Sequence, residues 1–305
     1  MNLAVRGRIS PAEAQAVLRL ADAAAAADGV RPLPEQVLLH VRDGGGPLAR
    51  NLLLWQGGEL AGFAHLDPAG PEGASSGELA VHPAHRGQGL GRMLLRAIGA
   101  EAGGRPVRLW AHGDLPAAAA LAASAGLTRT RALWRMSRSL REPLAEPRLA
   151  PGITVRTFVP GQDEQQWVAL NGRAFAGHPE QGGWTVQDIG RREQEPWFDP
   201  AGFFLAERGG RLAGFHWTKI HPTGPAGPAQ GRGPVGEIYV IGVDPAEQGT
   251  GLGRALALIG LHYLRDRGLD EAILYVDEPN TAAIRLYESL GFTRAAIDVM
   301  YGRGG

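Results

Sequence analysis

Residues 237–264 read EIYVIGVDPAEQGTGLGRALALIGLHYL. The apolar run Ile238 to Val243 predicts a buried strand that breaks at Asp244-Pro245, and an apolar stretch with helical period begins at Leu252. Between them lies Gln248-Gly249-Thr250-Gly251-Leu252-Gly253. A glycine-rich turn entering a helix leaves backbone N–H groups free at the positive end of the helix dipole, where phosphate oxygens bind. The stretch therefore predicts a pyrophosphate-binding loop.

Two common nucleotide motifs do not fit this loop. A dinucleotide fingerprint, G-x-G-x-x-G, fails because the residue three after Gly251 is Arg254, and a Walker A loop fails because Lys219 is the only lysine in the chain. The remaining pattern, V-D-P-x-x-Q followed by G-x-G-L-G-R, resembles the coenzyme A loop of the GNAT acetyltransferase superfamily. A glycine-rich turn without a ligand is the alternative.

The composition narrows the classes of function. At 305 residues the chain is long enough for two domains, and its formal net charge of +0 gives no basic surface for nucleic acid or an anionic membrane. It contains no cysteine, so there is no thiolate nucleophile, disulfide or cysteine metal site. No run approaches membrane-spanning length, and the N-terminus has no apolar signal segment. We expect a cytoplasmic monomer that binds small molecules, without nucleic acid, membrane or metal.

The loop motif occurs a second time, earlier in the chain. The segment Arg86-Gly87-Gln88-Gly89-Leu90-Gly91-Arg92 runs into a predicted helix. Alignment of Val81 with Val243 superposes the two loops and, further on, Leu109-Trp110 on Leu274-Tyr275. A unit that recurs roughly 160 residues later is a duplicated domain rather than a solenoid.

The predicted fold class is α/β, a tandem duplication of the GNAT fold in which each copy is a mixed, mostly antiparallel central sheet flanked by helices. Residues 1–140 form the predicted N-terminal domain, 141–151 the linker and 152–305 the C-terminal domain. The linker is charged and rich in proline, and the second copy begins with a predicted strand from Ile153 to Phe158. Each copy should contain a strand, two helices, a hairpin, the cofactor strand and helix, another strand, a last helix and closing strands.

Local signals support this order in the first copy. Ser10-Pro11-Ala12-Glu13 predicts a capped start for a helix that continues to Ala27. A second helix is predicted around Pro34 to Arg42. Asn51 to Trp55 and Glu59 to His65, joined by a short glycine-containing turn, predict a hairpin.

The segment Asn280 to Phe292, NTAAIRLYESLGF, resembles the GNAT segment N-x-x-A-x-x-x-Y-x-x-x-G-F. In that superfamily the Asn and the start of the helix contact the pantetheine arm, and the Tyr hydroxyl lies near the CoA sulfur. The resemblance therefore gives Asn280 and Tyr287 these roles.

The two copies differ where chemistry is expected. Counted from the sequence, the first copy has a small or apolar residue in place of each polar one: Leu115 for Asn280, Ala122 for Tyr287 and Ser75 for Glu237. We therefore predict that the C-terminal copy is catalytic and that the N-terminal copy is degenerate, although able to bind CoA through its loop.

The reaction explains these residue types. An amine that attacks a thioester must lose a proton, and the departing CoA thiolate must gain one. Glu237, at the acceptor end of the cofactor strand, fits the general base, and Tyr287 fits the general acid. Backbone N–H groups near Ile241 to Val243 are expected to polarise the thioester carbonyl. As alternatives, Glu237 is an exposed strand-end charge and Tyr287 a packed aromatic; Asp244 is the next candidate base, although it more simply makes a turn.

Over nearly its full length the chain resembles the mycothiol synthases of actinobacteria, a tandem GNAT family. The motifs V-I-G-V-D-P-x-x-Q-G-x-G-L-G and N-x-A-A-x-R-x-Y-x-S-L-G-F carry the resemblance. It implies acetyl transfer from acetyl-CoA to the cysteinyl amine of cysteinyl-glucosaminyl-inositol (desacetylmycothiol), giving mycothiol. The proline- and glycine-rich stretch Pro222 to Pro234 is the main departure. The implied acceptor site consists of Glu35, Glu180, Lys219, Glu237 and Tyr275.

The resemblance also implies an acetyl-CoA site in each copy. In the first copy it comprises Leu79, Ala80, Val81, Gly87, Gln88, Gly89, Leu90, Gly91 and Arg92. In the second it comprises Ile241, Gly242, Val243, Gln248, Gly249, Thr250, Gly251, Leu252, Gly253, Arg254, Asn280, Thr281, Ala282, Ala283, Ile284 and Arg285.

Two other functions stay open at this point. One is a GNAT N-acetyltransferase for another small amine or a protein N-terminus; the near-neutral charge argues against a strongly cationic acceptor. The other is a non-catalytic acyl-CoA-binding protein, against which Glu237 and Tyr287 together argue. The histidines have no metal-like spacing, and we predict no metal site.

Overall fold

The structure, a computed structural model, describes residues 1–46, 48–68, 73–221 and 233–303, without the side chains of Glu35, Pro179 and Glu180. The chain divides into two compact units. The first contains residues 1–134 together with the chain end from Ala296, and the second contains residues 135–295. Most of the stretch from Pro222 to Pro234 lies outside the described residues.

The first unit is a mixed sheet with helices on both faces. Within it β4 and β5 are parallel, and the pairs β1–β2, β2–β3, β3–β4 and β5–β12 are antiparallel, in the order β1-β2-β3-β4-β5-β12. Its elements are β1 (Asn2–Arg6), α1 (Pro11–Asp28), α2 (Glu35–Arg42), β2 (Arg50–Gln56), β3 (Glu59–Asp67), β4 (Ser75–Val81), α3 (Leu90–Glu101), β5 (Val107–His112), α4 (Pro116–Ser124), most of β6 (Thr128–Ser139), and most of β12 (Thr293–Gly302).

The second unit repeats this plan. Its strands lie in the order β11-β10-β9-β8-β7, with β10 and β11 parallel and the other neighbours antiparallel. Its elements are β7 (Ile153–Thr157), α5 (Glu164–Ala174), α6 (Pro179–Gly182), α7 (Val186–Glu193), β8 (Phe203–Arg208), β9 (Arg211–His221), β10 (Val235–Val243), α8 (Leu252–Asp266), β11 (Glu271–Asp277) and α9 (Thr281–Ser289). The α/β class predicted from the sequence is confirmed.

The units do not follow the predicted boundaries at residues 140 and 152. The last strand, β12, pairs with β5, so that Asp298 lies opposite His112 and Met300 opposite Trp110. Thr130 Oγ1 also donates to the Met300 carbonyl over 3.2 Å. The end of the chain therefore belongs to the first unit. Local sequence patterns do not reveal this, because strand partners far apart in sequence leave no periodic signal.

The predicted local elements have the expected causes. Ser10 Oγ accepts a hydrogen bond from the Glu13 N–H (3.3 Å), and the Glu13 carboxylate accepts one from the Ser10 N–H (2.7 Å), which closes the capping box at the start of α1. In the β2–β3 hairpin, Gly57 and Gly58 have φ of 59° and 87°. Two consecutive positive φ values are those of a type I′ turn, which matches the twist of the paired strands.

Both sheets are buried between helices. In the first unit, Val17 and Leu38 from α1 and α2 pack on one face of the sheet, and Leu94 from α3 packs on the other. In the second unit an aromatic core covers one face; the rings of Phe203 and Trp217 stack there with centroids 4.5 Å apart. No helix in the described ranges is long and apolar enough to cross a membrane.

Candidate active site

The two glycine-rich loops have matching backbone geometry. Gly89 and Gly251 precede α3 and α8 with φ of 82° and 84°, and Gly87 and Gly249 have φ of 76° and 79°. Glycine adopts these angles without strain. A Cβ added at any of the four would meet nothing within 4 Å. Each loop therefore leads into a helix N-terminus beside open space, an arrangement that suits a pyrophosphate.

A cavity of about 720 Å³ lies in the first unit, beside its loop. Residues of β4, β5, α3 and α4 line it, and its surface is largely apolar. Every residue predicted to hold CoA in this copy lines the cavity except Gln88, whose side-chain oxygen accepts a hydrogen bond from Gln56 (3.2 Å). Its size is that of a ligand pocket. The structure therefore brings this predicted set together around one cavity.

In the second unit, the cofactor strand contains a β-bulge. The register of β10 with β9 shifts between Ile238 and Val240, which makes Tyr239 the extra residue. The register of β10 with β11 covers Gly236 to Ile238, while β10 itself runs on to Val243. The register of β10 with β11 thus ends at Ile238, next to the bulged residue. The following residues, including Ile241 to Val243, lie beyond the register that β10 shares with β11.

Because of this extra residue, the counterpart of Glu237 in the first unit differs from the one counted in the sequence. Glu237 lies opposite Lys219 on β9. When the L-A-G-F segments of β3 and β9 are superposed, the same place in the first unit belongs to Ser76, opposite Asp67. The sequence count gave Ser75, one residue too early, because β4 lacks the extra residue in its described register. The first unit still has a serine where the second has a carboxylate.

Glu237 is buried, with 7% of its surface exposed. His221 Nε2 lies 2.5 Å from Glu237 Oε2, and His221 is equally buried. The Lys219 ammonium lies 4.6 Å from the centre of the Trp197 ring and 5.6 Å from that of Tyr239, in cation–π contact with both. The exposed strand-end alternative for Glu237 is therefore wrong. Its neighbours place a cation and an imidazole beside a buried carboxyl.

His221 is a site residue that the sequence interpretation missed. In the sequence, the spacing of the histidines predicts no metal site and indicates no other role for His221. It lies two residues after Lys219 on β9, and side chains two apart in a strand share a face. This alternation was visible in the sequence once β9 had been assigned.

Tyr287 lies on α9 and is also buried, with 7% exposed. Its ring packs edge-on against Phe292, with centroids 5.9 Å apart. Burial raises the pKa of Tyr287 to about 12, so the phenol keeps its proton near neutral pH. Asn280 caps the same helix by accepting a hydrogen bond from the Ala283 N–H (3.2 Å). Asn280 thus shapes the start of α9, where the pantetheine contact is predicted.

Asp244 is a turn residue. Its carboxylate accepts a hydrogen bond from the Ala246 N–H (3.0 Å) and pairs with Arg173 (2.8 Å). The Ala246 hydrogen bond, with help from the Arg173 charge, lowers the pKa of Asp244. A carboxylate held in this way is a poor proton acceptor, which leaves Glu237 as the candidate base.

Comparison with known proteins identifies the family of the chain. A family model described as Acetyltransferase (GNAT) family matches residues 167–292, and one described as Acetyltransferase (GNAT) domain matches residues 48–126. A mycothiol acetyltransferase from Thermobispora bispora is 64% identical over 304 residues, covering 99% of this chain and 100% of that protein. Another, from Streptosporangium roseum, is 54% identical over 97% of each chain. The chain belongs to the mycothiol acetyltransferases.

Solved structures agree on the tandem architecture. A GCN5-related N-acetyltransferase from Sphaerobacter thermophilus superposes with a TM-score of 0.78 at 27% identity, over 98% of this chain and 95% of that one. A tandem GNAT protein from the clavulanic acid biosynthesis pathway superposes at 0.73 and 22% identity, over 100% and 99%. The predicted duplicated GNAT fold is confirmed.

The structure describes the side chains of three of the five acceptor residues that the resemblance to the mycothiol family implies. Lys219, Glu237 and Tyr275 lie on the neighbouring strands β9, β10 and β11 of the second unit, and Tyr275 is 41% exposed. Glu180 is in α6 of the same unit and Glu35 starts α2 of the first, but both side chains lie outside the description.

Two predicted CoA contacts in the second loop have protein partners. Arg254 donates to Ser289 Oγ (2.7 Å), which ties α8 to α9, and Thr250 Oγ1 donates to the Glu247 carbonyl (2.7 Å). Among the described residues, no group of three or more His, Asp or Glu side chains is placed to hold a metal ion.

Proposed function

We propose that the protein acetylates the cysteinyl amine of cysteinyl-glucosaminyl-inositol with acetyl-CoA, forming mycothiol. The observation that carries this proposal is the 64% identity, over 99% of the chain, to a mycothiol acetyltransferase. The buried Glu237 and Tyr287 support it, because amine acetylation needs both a proton acceptor and a proton donor.

The second unit has residues that fit acetyl-CoA, which supplies the activated acetyl group when bound. The loop from Gln248 to Arg254 would hold the pyrophosphate through backbone N–H groups. The strand edge from Ile241 to Val243 and the start of α9, from Asn280 to Arg285, would hold the pantetheine arm. Positive φ and open space at Gly249 and Gly251 support this assignment.

Glu237 is the proposed general base. It takes the proton from the acceptor ammonium, directly or through water. His221, 2.5 Å away, holds the carboxyl in one orientation and is a positioning residue. Lys219, held against Trp197, adds a positive charge beside the carboxylate and a donor for acceptor hydroxyl groups. Glu35, Glu180 and Tyr275 are proposed as further acceptor contacts.

Tyr287 is the proposed general acid. Because its pKa is about 12, it holds its proton at neutral pH and can give it to the departing CoA sulfur. The first unit has Ala122 at the matching position, Leu115 in place of Asn280 and Ser76 in place of Glu237. We therefore assign acetylation of the acceptor to the second unit. A cytoplasmic location, a monomeric state and the absence of nucleic-acid binding stay predictions.

A panel of amines tests the proposed function. Purified protein is mixed with acetyl-CoA and cysteinyl-glucosaminyl-inositol, a polyamine, an aminoglycoside or a peptide, and acetylated product is measured by mass spectrometry. We expect kcat/KM for cysteinyl-glucosaminyl-inositol to exceed that for every other amine by at least roughly 10²-fold, because several polar groups must be matched at once. Faster turnover of another amine, with none of this acceptor, would contradict the proposal.

A further inference from the structure

The short helix α6 of the second unit begins with a histidine cap. The helix has only four residues, Pro179–Gly182, and a helix of this length is not stable by itself. His178 precedes it, and its Nδ1 accepts a hydrogen bond from the Gln181 N–H (3.3 Å), the contact that an N-cap side chain makes. The Gly182 N–H donates to the His178 carbonyl (2.8 Å). The conformation of α6 therefore depends on contacts made by the side chains around it.

Asn171 on α5 holds the other end of α6. Asn171 Nδ2 donates to the Gln181 carbonyl (2.6 Å), and Asn171 Oδ1 accepts a hydrogen bond from Gln181 Nε2 (3.2 Å). Asn171 is 0% exposed, so the loss of either contact would leave a buried polar group unpaired. A Cβ on Gly182 would lie 2.5 Å from the carbonyl oxygen of Phe175, the residue that ends α5. Helix α6 is therefore packed closely against the end of α5.

His178 also joins α6 to β11. Its Nε2 lies 3.2 Å from Oδ2 of Asp277, the last residue of that strand. Because Nδ1 accepts from the Gln181 N–H, the neutral imidazole has its proton on Nε2 and donates it to Asp277. One ring in one tautomer thus makes both contacts.

The end of β11 that His178 contacts belongs to the face of the proposed acceptor site. Glu237 lies beside Ile273 in the parallel register of β10 and β11. Tyr275 and Asp277 follow Ile273 at intervals of two residues, and side chains two apart in a strand share a face. His178 therefore holds α6 at the end of the face that contains Glu237 and Tyr275.

We propose that His178 is a positioning residue for the acceptor. Together with Asn171 it fixes the backbone of α6, so that the Glu180 carboxylate is held ready to accept hydrogen bonds from acceptor hydroxyl groups. This inference rests on the proposed function, in which Glu180 is an acceptor contact. A contact that is fixed in advance costs less ordering entropy when the acceptor binds. The contribution of His178 should therefore appear in the KM for the acceptor.

Steady-state kinetics of the full-length protein test this role. In His178→Ala we expect the KM for cysteinyl-glucosaminyl-inositol to rise roughly 10-fold, as for the loss of one hydrogen bond to a charged group. The kcat and the KM for acetyl-CoA should change by less than about twofold. His178→Asn retains an oxygen that can accept from the Gln181 N–H but loses the contact with Asp277, and it should recover part of the loss. An unchanged KM in folded His178→Ala, or an equal rise for both substrates, overturns the proposal.

A double-mutant cycle shows whether His178 acts through Glu180. In a Glu180→Ala background the carboxylate is absent, so a further His178→Ala should raise the KM for the acceptor by less than about twofold. Fully additive effects overturn the proposal. If the wild-type protein acetylates a different amine and not cysteinyl-glucosaminyl-inositol, the proposed function fails, and the same cycle measured with that amine still decides the role of His178.

Hydrogen exchange tests the cap without turnover, and α7 provides a matched control. Thr185 caps α7 as His178 caps α6, since its Oγ1 accepts from the Asp188 N–H (3.2 Å). His178→Ala should speed exchange of the amides of residues 181 and 182, whereas Thr185→Ala should speed exchange at residue 188. Of the two variants, only His178→Ala should raise the KM for the acceptor. Unchanged exchange at 181 and 182 in His178→Ala, or an equal rise in KM in Thr185→Ala, overturns the proposal.

Discussion

The proposed role of Glu237 as general base depends on its neighbours as well as on its place in a strand. A carboxylate with 7% exposure would be costly alone, but His221 contacts it at 2.5 Å and Lys219 lies opposite on β9. The sequence predicted Glu237, Tyr287 and Lys219 through resemblance to a family. It did not predict the contact with His221, because a hydrogen bond between strands depends on register, which local composition does not specify.

Loss of either proton-transfer group should lower kcat. Glu237→Gln should reduce turnover roughly 10²- to 10⁴-fold, and Tyr287→Phe should reduce it with little change in acetyl-CoA affinity, because each nearly keeps its shape. Steady-state kinetics with cysteinyl-glucosaminyl-inositol and titration of CoA binding measure the two effects. Full activity in both variants would assign the proton transfers to other groups.

His221 should act on kcat through Glu237. In His221→Gln the amide N–H can still donate to the carboxylate, whereas His221→Ala leaves a buried carboxyl without this partner. We expect the alanine variant to lose roughly 10-fold or more in kcat, with KM for both substrates little changed, and the glutamine variant to recover much of the loss. An equal loss in both variants, or a loss confined to KM, would argue for a purely structural role.

At the scale of elements, local signals predicted each strand–loop–helix unit, since glycine spacing and hydrophobic period lie within one segment. The bulge at Tyr239 and the pairing of β12 with β5 were not predictable in this way. A bulge changes the hydrogen-bond ladder by one residue without a change in composition. In the second unit it lies next to the end of the register between the two parallel strands, and it moved the counterpart of Glu237 from Ser75 to Ser76.

The helix that follows each loop packs on its sheet by a compensating exchange of sizes. In the first unit Ile98 of α3 and Ala64 of β3 belong to one core cluster. The residues at the matching positions of the second unit are Gly260 of α8 and His216 of β9. His216 is fully buried and its Nδ1–H donates to a backbone carbonyl of α8 (2.8 Å). In the first unit a large residue on the helix thus faces a small one on the strand, and in the second unit a small residue on the helix faces a large one on the strand.

This exchange predicts the effect of filling the glycine. A Cβ on Gly260 would lie 2.0 Å from the His216 ring, so Gly260→Ala should destabilise the protein by about 1–3 kcal/mol or more through overpacking. Gly99, a helical glycine of α3 with nothing within 4 Å, is the matched control, and Gly99→Ala should stabilise by about 1 kcal/mol. Thermal unfolding measures both.

A double variant tests whether the loss of stability in Gly260→Ala comes from packing against His216. The double variant Gly260→Ile with His216→Ala reproduces the first-unit pair, and it should lose less stability than the sum of its single variants. A strictly additive loss, or a neutral Gly260→Ala, would contradict this account of the packing.

At the scale of the whole molecule, duplication produced two units with the same loop geometry and different chemistry. Phosphate binding needs free N–H groups, which both loops supply, whereas proton transfer needs particular side chains. The second unit has Glu237, His221 and Tyr287, whereas the first has Ser76 and Ala122 at the positions of Glu237 and Tyr287. The sequence predicted the duplication and its asymmetry. It could not show that the chain end supplies Asp298 to the first unit.

The most direct test of the assignment of acetylation to the second unit compares Gly251→Glu with Gly89→Glu. The two positions are matched, because φ is 84° and 82° and an added Cβ meets nothing within 4 Å at either one. Backbone strain is therefore similar, and each variant places a side chain and a negative charge where pyrophosphate would bind. The measurement is kcat/KM for acetylation of cysteinyl-glucosaminyl-inositol in folded protein. We predict that Gly251→Glu abolishes it and that Gly89→Glu keeps most of it; equal losses in the two variants would contradict the assignment.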